Sequence, residues 1–504
     1  MLLYPATQEV RDAKFQIAEA YYLRGQYEQA LKVFEGADKR WPSFIKQNPQ
    51  TFYRYADTNY RLEKRDKARG LFAELANLYP ANAHGLNAVN KLADIYLADG
   101  KTAVAVKLLN IQARAWPDQP AGVESRLRLA ALGQAEHKVI TPAEATLTPY
   151  PDYFDPLAAY NDVIKKHPDW DYAQEAMFQK AKLYHRNKRH IESIVTLQGF
   201  MRTYPALAAT PPVVDLVKEN LFEMVNNFHR QDGNFAVLYT YYGNFDPFFA
   251  DVKDTEILMN VADAYYGMGL YGRSYEKYRR AEELLKGERL PRIAFGKGRA
   301  LAAIDDGAGA AAELAPFMNG YAKSAYAPYA LQILGDIYAQ REDRPRAIAA
   351  YRAGLDVSAG KGLLASYTAY RAGIASKQEK NFSGAIKYFK AAIERYQPYL
   401  DRVDGFYQKD SHFQMMEAAY RGGLYRDAID YSEEAVAKYP DAKMGGWVRF
   451  VKSDSEAKLS EDEKALDGLR EIVKDEPSSV FGKVADATLN NAGWKTKNRN
   501  LFPY

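Results

Sequence analysis

EVRDAKFQIAEAYYLRGQYEQALKVFEGADKRWP, residues 9–42, decides the architecture of this chain. Apolar residues recur at helical spacing through its first half. Gly25 interrupts the pattern, Tyr27 reopens it and Pro42 ends it. The reading is two helices joined by a tight turn. Small residues stand where two such helices must cross closely, Ala18 on the first and Ala30 on the second, and Tyr21 and Phe34 fill the space beside them. A large side chain at such a crossing overpacks at a cost of about 1–3 kcal/mol. Glycine at the turn supplies the left-handed backbone that a helix C-terminus needs.

Relatives of this stretch recur about every 34 to 40 residues. One reads Ala93, Tyr96, Gly100, Ala105, Leu109, Pro117, and one near the middle reads Ala181, Tyr184, Ser193, Leu197, Phe200, Pro205. Later copies carry Ala262, Tyr265, Gly269, Tyr271, Tyr278 and Ala281, then Gly335, Tyr338, Ala347 and Tyr351, then Gly373, Phe382, Ala385 and Phe389, then Gly423, Tyr425, Ala428 and Pro440. The copy ending at Pro80 keeps Ala56, Ala68 and Phe72 without a turn glycine. Three stretches depart from the pattern. Residues 120–168 contain a Pro/Thr-rich insertion at 137–156, residues 211–247 lack the Gly/Ala signature, and residues 289–322 have the turn Asp306-Gly307-Ala308-Gly309. Apolar spacing continues through all three, so they read as degenerate repeats, or as a break between two solenoid segments.

The order small, aromatic, Gly, aromatic, Ala, aromatic, Ala, Pro is carried by Ala18, Tyr21, Gly25, Tyr27, Ala30, Phe34, Ala37 and Pro42. It resembles the tetratricopeptide repeat, and the first copy matches that motif throughout. The resemblance implies an all-α fold, an α-solenoid of about twelve antiparallel helix pairs wound into a superhelix. A capping helix from Ser478 to Asn491 would cover its last apolar face. The expected organisation is N-terminal repeats at 8–118, degenerate repeats at 119–250, C-terminal repeats at 251–477, and a capping helix with a polar, basic tail (Trp494–Tyr504) at 478–504. Several copies end in an aromatic residue before proline: Trp41-Pro42, Tyr79-Pro80, Trp116-Pro117, Tyr204-Pro205 and Tyr439-Pro440. This ending is similar to that of repeats in bacterial cell-envelope proteins, such as outer-membrane-assembly lipoproteins and the Tol-Pal-associated coordinator.

Composition narrows the class of function. A chain of 504 residues exceeds what one hydrophobic core serves, and a solenoid escapes that limit by growing in one dimension. The net charge of +4, from 68 basic and 64 acidic residues, gives no concentrated basic footprint for nucleic acid. With no cysteine there is no disulfide, thiol catalysis or cysteine-ligated metal. No apolar run approaches the roughly 18 residues that span a bilayer. The start Met1-Leu2-Leu3-Tyr4-Pro5 does not read as a signal peptide, so the expectation is either a cytoplasmic protein or one whose export segment is absent from this chain. The 39 tyrosines are the compositional outlier. Their rings suit inter-helix packing and their hydroxyls a binding surface.

The resemblance places the first helix of each pair along a concave groove. Glu19, Asp57, Asp94, Asp263, Asp336 and Glu417 occupy equivalent positions on those helices, with Lys182 and Ile374 as exceptions, and Tyr22, Tyr60, Tyr266 and Tyr420 lie one turn on, on the same face. These ten residues form the candidate partner-binding face: an acidic row flanked by tyrosines, suited to a basic or amphipathic segment of another protein. The alternative is that each acid pairs with a cation on the neighbouring helix and serves stacking. The acids argue against the carboxylate-gripping use known for this fold. Other motifs read as structure. His185-Arg186-Asn187-Lys188-Arg189-His190 reads as a solvated turn, because neighbouring cations repel a metal, with weak anion contact as the next reading. Phe295-Gly296-Lys297-Gly298 lacks the spacing and context of a phosphate loop. The expected role is a non-catalytic scaffold or adaptor binding proteins, with no cofactor, metal or nucleic acid and no membrane insertion. Its expected place is a periplasmic or outer-membrane-associated secretion, envelope-assembly or motility machine. An accessory subunit of polysaccharide synthesis and export and a cytoplasmic adaptor are the alternatives.

Overall fold

The computed structural model describes residues 7–135, 139–243, 246–286, 290–358, 362–396, 405–440 and 444–497. The readings of Met1–Pro5 and of the tail beyond Lys497 lie outside them. Among the described residues there is no strand, and the helices follow one another as twelve antiparallel pairs and a final single helix. The chain divides into two compact units, Met1–Met224 and Val225–Tyr504, with the division inside helix Pro211–Arg230, in the stretch read as degenerate repeats.

The first unit begins with the pairs Gln8–Leu23/Tyr27–Arg40, Pro49–Arg61/Arg65–Leu78 and Ala83–Ala98/Thr102–Ala115. Pro120–Ala135/Pro156–Lys166 and Asp171–Arg186/His190–Thr203 follow. The second unit holds Thr255–Gly267/Tyr271–Leu284, Pro291–Ala303/Gly307–Leu314, Ala327–Gln340/Arg344–Val357 and Leu363–Gln378/Phe382–Glu394. It ends with Phe406–Arg421/Tyr425–Lys438 and Gly445–Lys458/Asp462–Asp475, followed by Val480–Lys497. Helix Pro211–Arg230 and Asn234–Tyr242 make the remaining pair. The capping helix therefore runs past the expected Asn491, and Trp494 to Lys497 are helical rather than tail.

A single left-handed residue turns each regular pair. Gly25, Gly100, Gly269 and Gly423 take this place with φ of 72–76°. Where no glycine is present, Glu63, Lys188, Asp232, Asp305, Glu342, Lys380 and Ser460 adopt it with φ of 54–62°. The hydrogen bonds are the same in both cases. Gln26 N–H donates to Tyr21 C=O and Lys64 N–H to Asn59 C=O, each at 2.9 Å. The copy without a turn glycine thus keeps the turn and accepts the strain of a side chain in that region.

Packing follows the small/large alternation. Ala18, Ala30, Phe34 and Ala37 are fully buried, as are Ala56, Ala68 and Phe72 in the next pair. Gly335 lies so close to the Tyr351 ring that a Cβ there would come within 2.4 Å of it. The described part of the 137–156 insertion is not a surface loop. Thr141 caps helix Pro142–Leu147 through a reciprocal bond with Glu144, and Ile140, Tyr150 and Tyr153 are buried in one cluster with Ala105, Val106 and Leu109. A Cβ on Gly133 would fall 1.8 Å from the Tyr153 carbonyl oxygen, so the insertion packs directly on the helix before it.

Two substitutions test these constraints. Glu63→Gly relieves a non-glycine left-handed residue and is expected to stabilise the first unit by about 1 kcal/mol. Gly133→Ala is expected to destabilise it by about 1–3 kcal/mol through overpacking. Urea unfolding followed by circular dichroism measures both.

Candidate interaction face

The ten groove residues lie on the first helices of their pairs, and their side chains are buried or half-buried. In the first unit, Arg54 donates to Glu19 at 2.6 Å from 35 residues on. Tyr22 donates to Asp57 at 2.8 Å, and Arg61 donates to the same carboxylate from one turn on. Asp94 faces Arg128 at 3.0 Å and Lys91 at 3.9 Å. The Lys91 ammonium also stands 5.0 Å over the Tyr60 ring. Burial and the Asp57 hydrogen bond push the Tyr22 hydroxyl up to about 12, so it remains a neutral donor.

In the second unit, Asp263 is a hub. His229 (3.2 Å) and Arg292 (2.6 Å) engage one carboxylate oxygen, and Tyr278 and Arg299 the other. Arg299 also stacks 4.1 Å over Tyr266. Burial alone would raise the Asp263 pKa, but the His229 hydrogen bond and the Arg292 charge outweigh it and hold the carboxyl well below its usual range. Asp336 has the same environment. Tyr351 (2.5 Å) and Arg371 (3.0 Å) donate to one oxygen, and Tyr367 (3.1 Å) and Gln332 to the other. Glu417 accepts from Lys377 at 2.8 Å and Arg421 at 3.2 Å, and Tyr420 donates to Asp454 at 2.6 Å.

Every acid of the row therefore has a cation partner, but their remaining capacity differs. A carboxylate offers about four acceptor directions. Asp263 and Asp336 each receive four donors and are filled. The Asp57 side chain is 2% exposed and closed to solvent. Glu19, Asp94 and Glu417 receive fewer donors and remain 22–25% exposed. The sequence carried a signal for this pairing that the groove reading did not use. Arg54, Arg128, Arg299 and Arg371 follow Glu19, Asp94, Asp263 and Asp336 by 35, 34, 36 and 35 residues, one repeat each.

The other motifs are also absorbed into packing. His190 is 8% exposed rather than solvated, and both His185 and His190 direct Nδ1 to the Asn220 side-chain oxygen at 3.1 Å. Lys297 is buried between Glu282 and Glu313, each at 2.7 Å. Among the described residues no group of three or more His, Asp or Glu side chains is placed to hold a metal ion, and no helix is long and apolar enough to cross a membrane.

Asp263→Asn is expected to cost the second unit about 3 kcal/mol, because buried cations lose their counter-charge, whereas Asp94→Asn is expected to cost about 1 kcal/mol or less. The pH dependence follows from the lowered carboxyl. Its stabilisation is fully present above the unfolded value near roughly pH 4 and is lost as pH falls through the folded value. Amide hydrogen exchange of helix Thr255–Gly267 between pH 6 and pH 3 would show the wild type losing protection and Asp263→Asn, already weakened, changing less.

Comparison with known proteins agrees with this geometry. A tetratricopeptide-repeat family model matches residues 12–43 and 50–82, the first two helix pairs. The model of YfiO, an outer membrane lipoprotein, matches residues 364–491. No curated protein matches the chain in sequence. Three solved structures are similar at low identity. The APC/C hetero-tetramer Cut9-Hcn1 is 12% identical, with 97% of each chain covered and a TM-score of 0.27. A tetratricopeptide repeat protein from Parabacteroides merdae is 14% identical, covering 54% of this chain and 97% of that one, with a TM-score of 0.32. YrrB, a repeat protein with an unusual peptide-binding site, is 15% identical, covering 48% and 98%, with a TM-score of 0.28. The repeat-model matches and the helix pairs closing on left-handed turns identify the chain as a protein of the tetratricopeptide-repeat family.

Proposed function

We propose that this protein is a non-catalytic scaffold of a bacterial cell-envelope assembly, periplasmic or outer-membrane-associated. The match of residues 364–491 to an outer membrane lipoprotein model carries this reading. Repeats of this family hold other proteins, and the chain is a protein-interaction scaffold in that sense.

The partner-binding face of each unit is the row of first helices. Asp263 and Asp336 have no acceptor direction left and act within the stack. Glu19 and Asp94 in the first unit and Glu417 in the second keep both exposure and acceptor capacity. Tyr60 and Tyr266 present half-buried rings already bearing a cation, and Tyr22 and Tyr420 hold their hydroxyls on neighbouring carboxylates. A segment that lays an apolar side on the rings and a basic side on the open carboxylates fits such a face.

Affinity capture from fractionated bacterial envelope, with quantitative mass spectrometry, compares the wild type with Asp94→Ala/Glu417→Ala. Envelope partners lost about tenfold in the variant, with stability changed by only about 1 kcal/mol per site, are expected. An unchanged partner set overturns the assignment of the face, and exclusively cytoplasmic partners overturn the localisation.

A further inference from the structure

The 20-residue insertion has a local consequence. In the regular pairs a short left-handed turn joins the end of the first helix to the start of the second. In the pair Pro120–Ala135/Pro156–Lys166 that turn is replaced, so the two helix ends stand apart as separate walls. The turn of the next pair, Arg186 to Arg189, forms a third wall, and a cavity of about 310 Å³ lies between them.

The groups lining it are unlike a packing defect. Gln134 accepts a hydrogen bond from the Tyr160 hydroxyl at 3.1 Å, which leaves its amide Nε2 buried with no acceptor. A buried donor without a partner costs about 1–3 kcal/mol. The Arg186 guanidinium has no hydrogen bond or ion pair to any described residue. It is close enough to the Tyr160 hydroxyl, buried beside Gln134, to lower its pKa against the larger upward effect of burial. Leu157 contributes a first-turn backbone N–H of helix Pro156–Lys166, which has no acceptor within the helix. The other charges at the rim are committed elsewhere. Asp155 caps the Ala158 N–H at 3.0 Å, and Arg189 pairs with Glu192 at 2.8 Å while its guanidinium lies 4.7 Å from the Tyr184 ring centroid.

We propose that this cavity is an oxyanion site, in which Arg186 and the Gln134 amide bind a carboxylate or phosphate. The lining offers one uncommitted cation, one buried donor and no uncommitted carboxylate, which suits a planar or tetrahedral oxyanion and excludes a cation. The anion is either a small free species or a carboxylate carried on another polypeptide.

Isothermal titration of the full chain with inorganic phosphate and with succinate, at ionic strength fixed by sodium chloride, tests the site. Saturable binding is expected in the wild type and in Arg202→Gln, an exposed control. Arg186→Gln, also at an exposed position, is expected to weaken it by about tenfold or more, as is Gln134→Leu, with helicity unchanged. A short peptide with a free C-terminus and its amide separate the sources. Arg186-dependent preference for the free acid assigns a polypeptide carboxylate, and binding of phosphate alone assigns a free anion. Absence of saturable binding above the chloride control, or equal binding by wild type and Arg186→Gln, overturns the proposal.

Discussion

The close crossing of two helices within each pair is the constraint on which the rest of this structure depends. It needs a small residue on each helix, an aromatic residue beside them and a left-handed residue at the turn. Ala18, Ala30 and Phe34 meet the requirement in the first pair, and Gly335 with Tyr351 meets it far along the chain. Once the crossing is set, the length of a pair is set, and so is the interval at which equivalent side chains meet between neighbouring pairs.

That interval turns a row of acids into a set of ties. A carboxylate on one first helix meets an arginine about one repeat later, and the same register brings Tyr22 to Asp57 and Tyr420 to Asp454. The ties are unequal. Asp263 and Asp336 sit within four-donor networks partly removed from solvent, where a charge is tolerated only because its partners are complete. Glu19, Asp94 and Glu417 belong to simpler, wetter pairs in which the Coulombic gain is small and the carboxylate remains accessible. Structural and partner-facing roles are therefore divided along one row by donor count, although the residue types are the same.

The insertion shows the reverse case, in which breaking the repeat creates a local feature. Replacing a tight turn with capped helices adds Ile140, Tyr150 and Tyr153 to the core and separates the helix ends that the turn would have joined. The gap is lined by a buried amide and an uncommitted guanidinium, whereas the regular turns are closed by backbone hydrogen bonds.

The sequence by itself determined the helix pairs, their turns and the repeat family, because small/aromatic spacing and apolar periodicity are local signals read within about 40 residues. It also placed the degenerate pairs at 211–247 and 289–322, where only periodicity survived. It did not locate the left-handed turns at Glu63 or Lys188, since there the backbone geometry is imposed by packing on both sides rather than by residue type. Only the tertiary structure decided which acids are filled and which are open, that His190 is buried on Asn220, and that the insertion encloses a cavity. Each of these depends on side chains that meet across neighbouring pairs, and their donor count and burial are properties of the assembled stack rather than of any one helix.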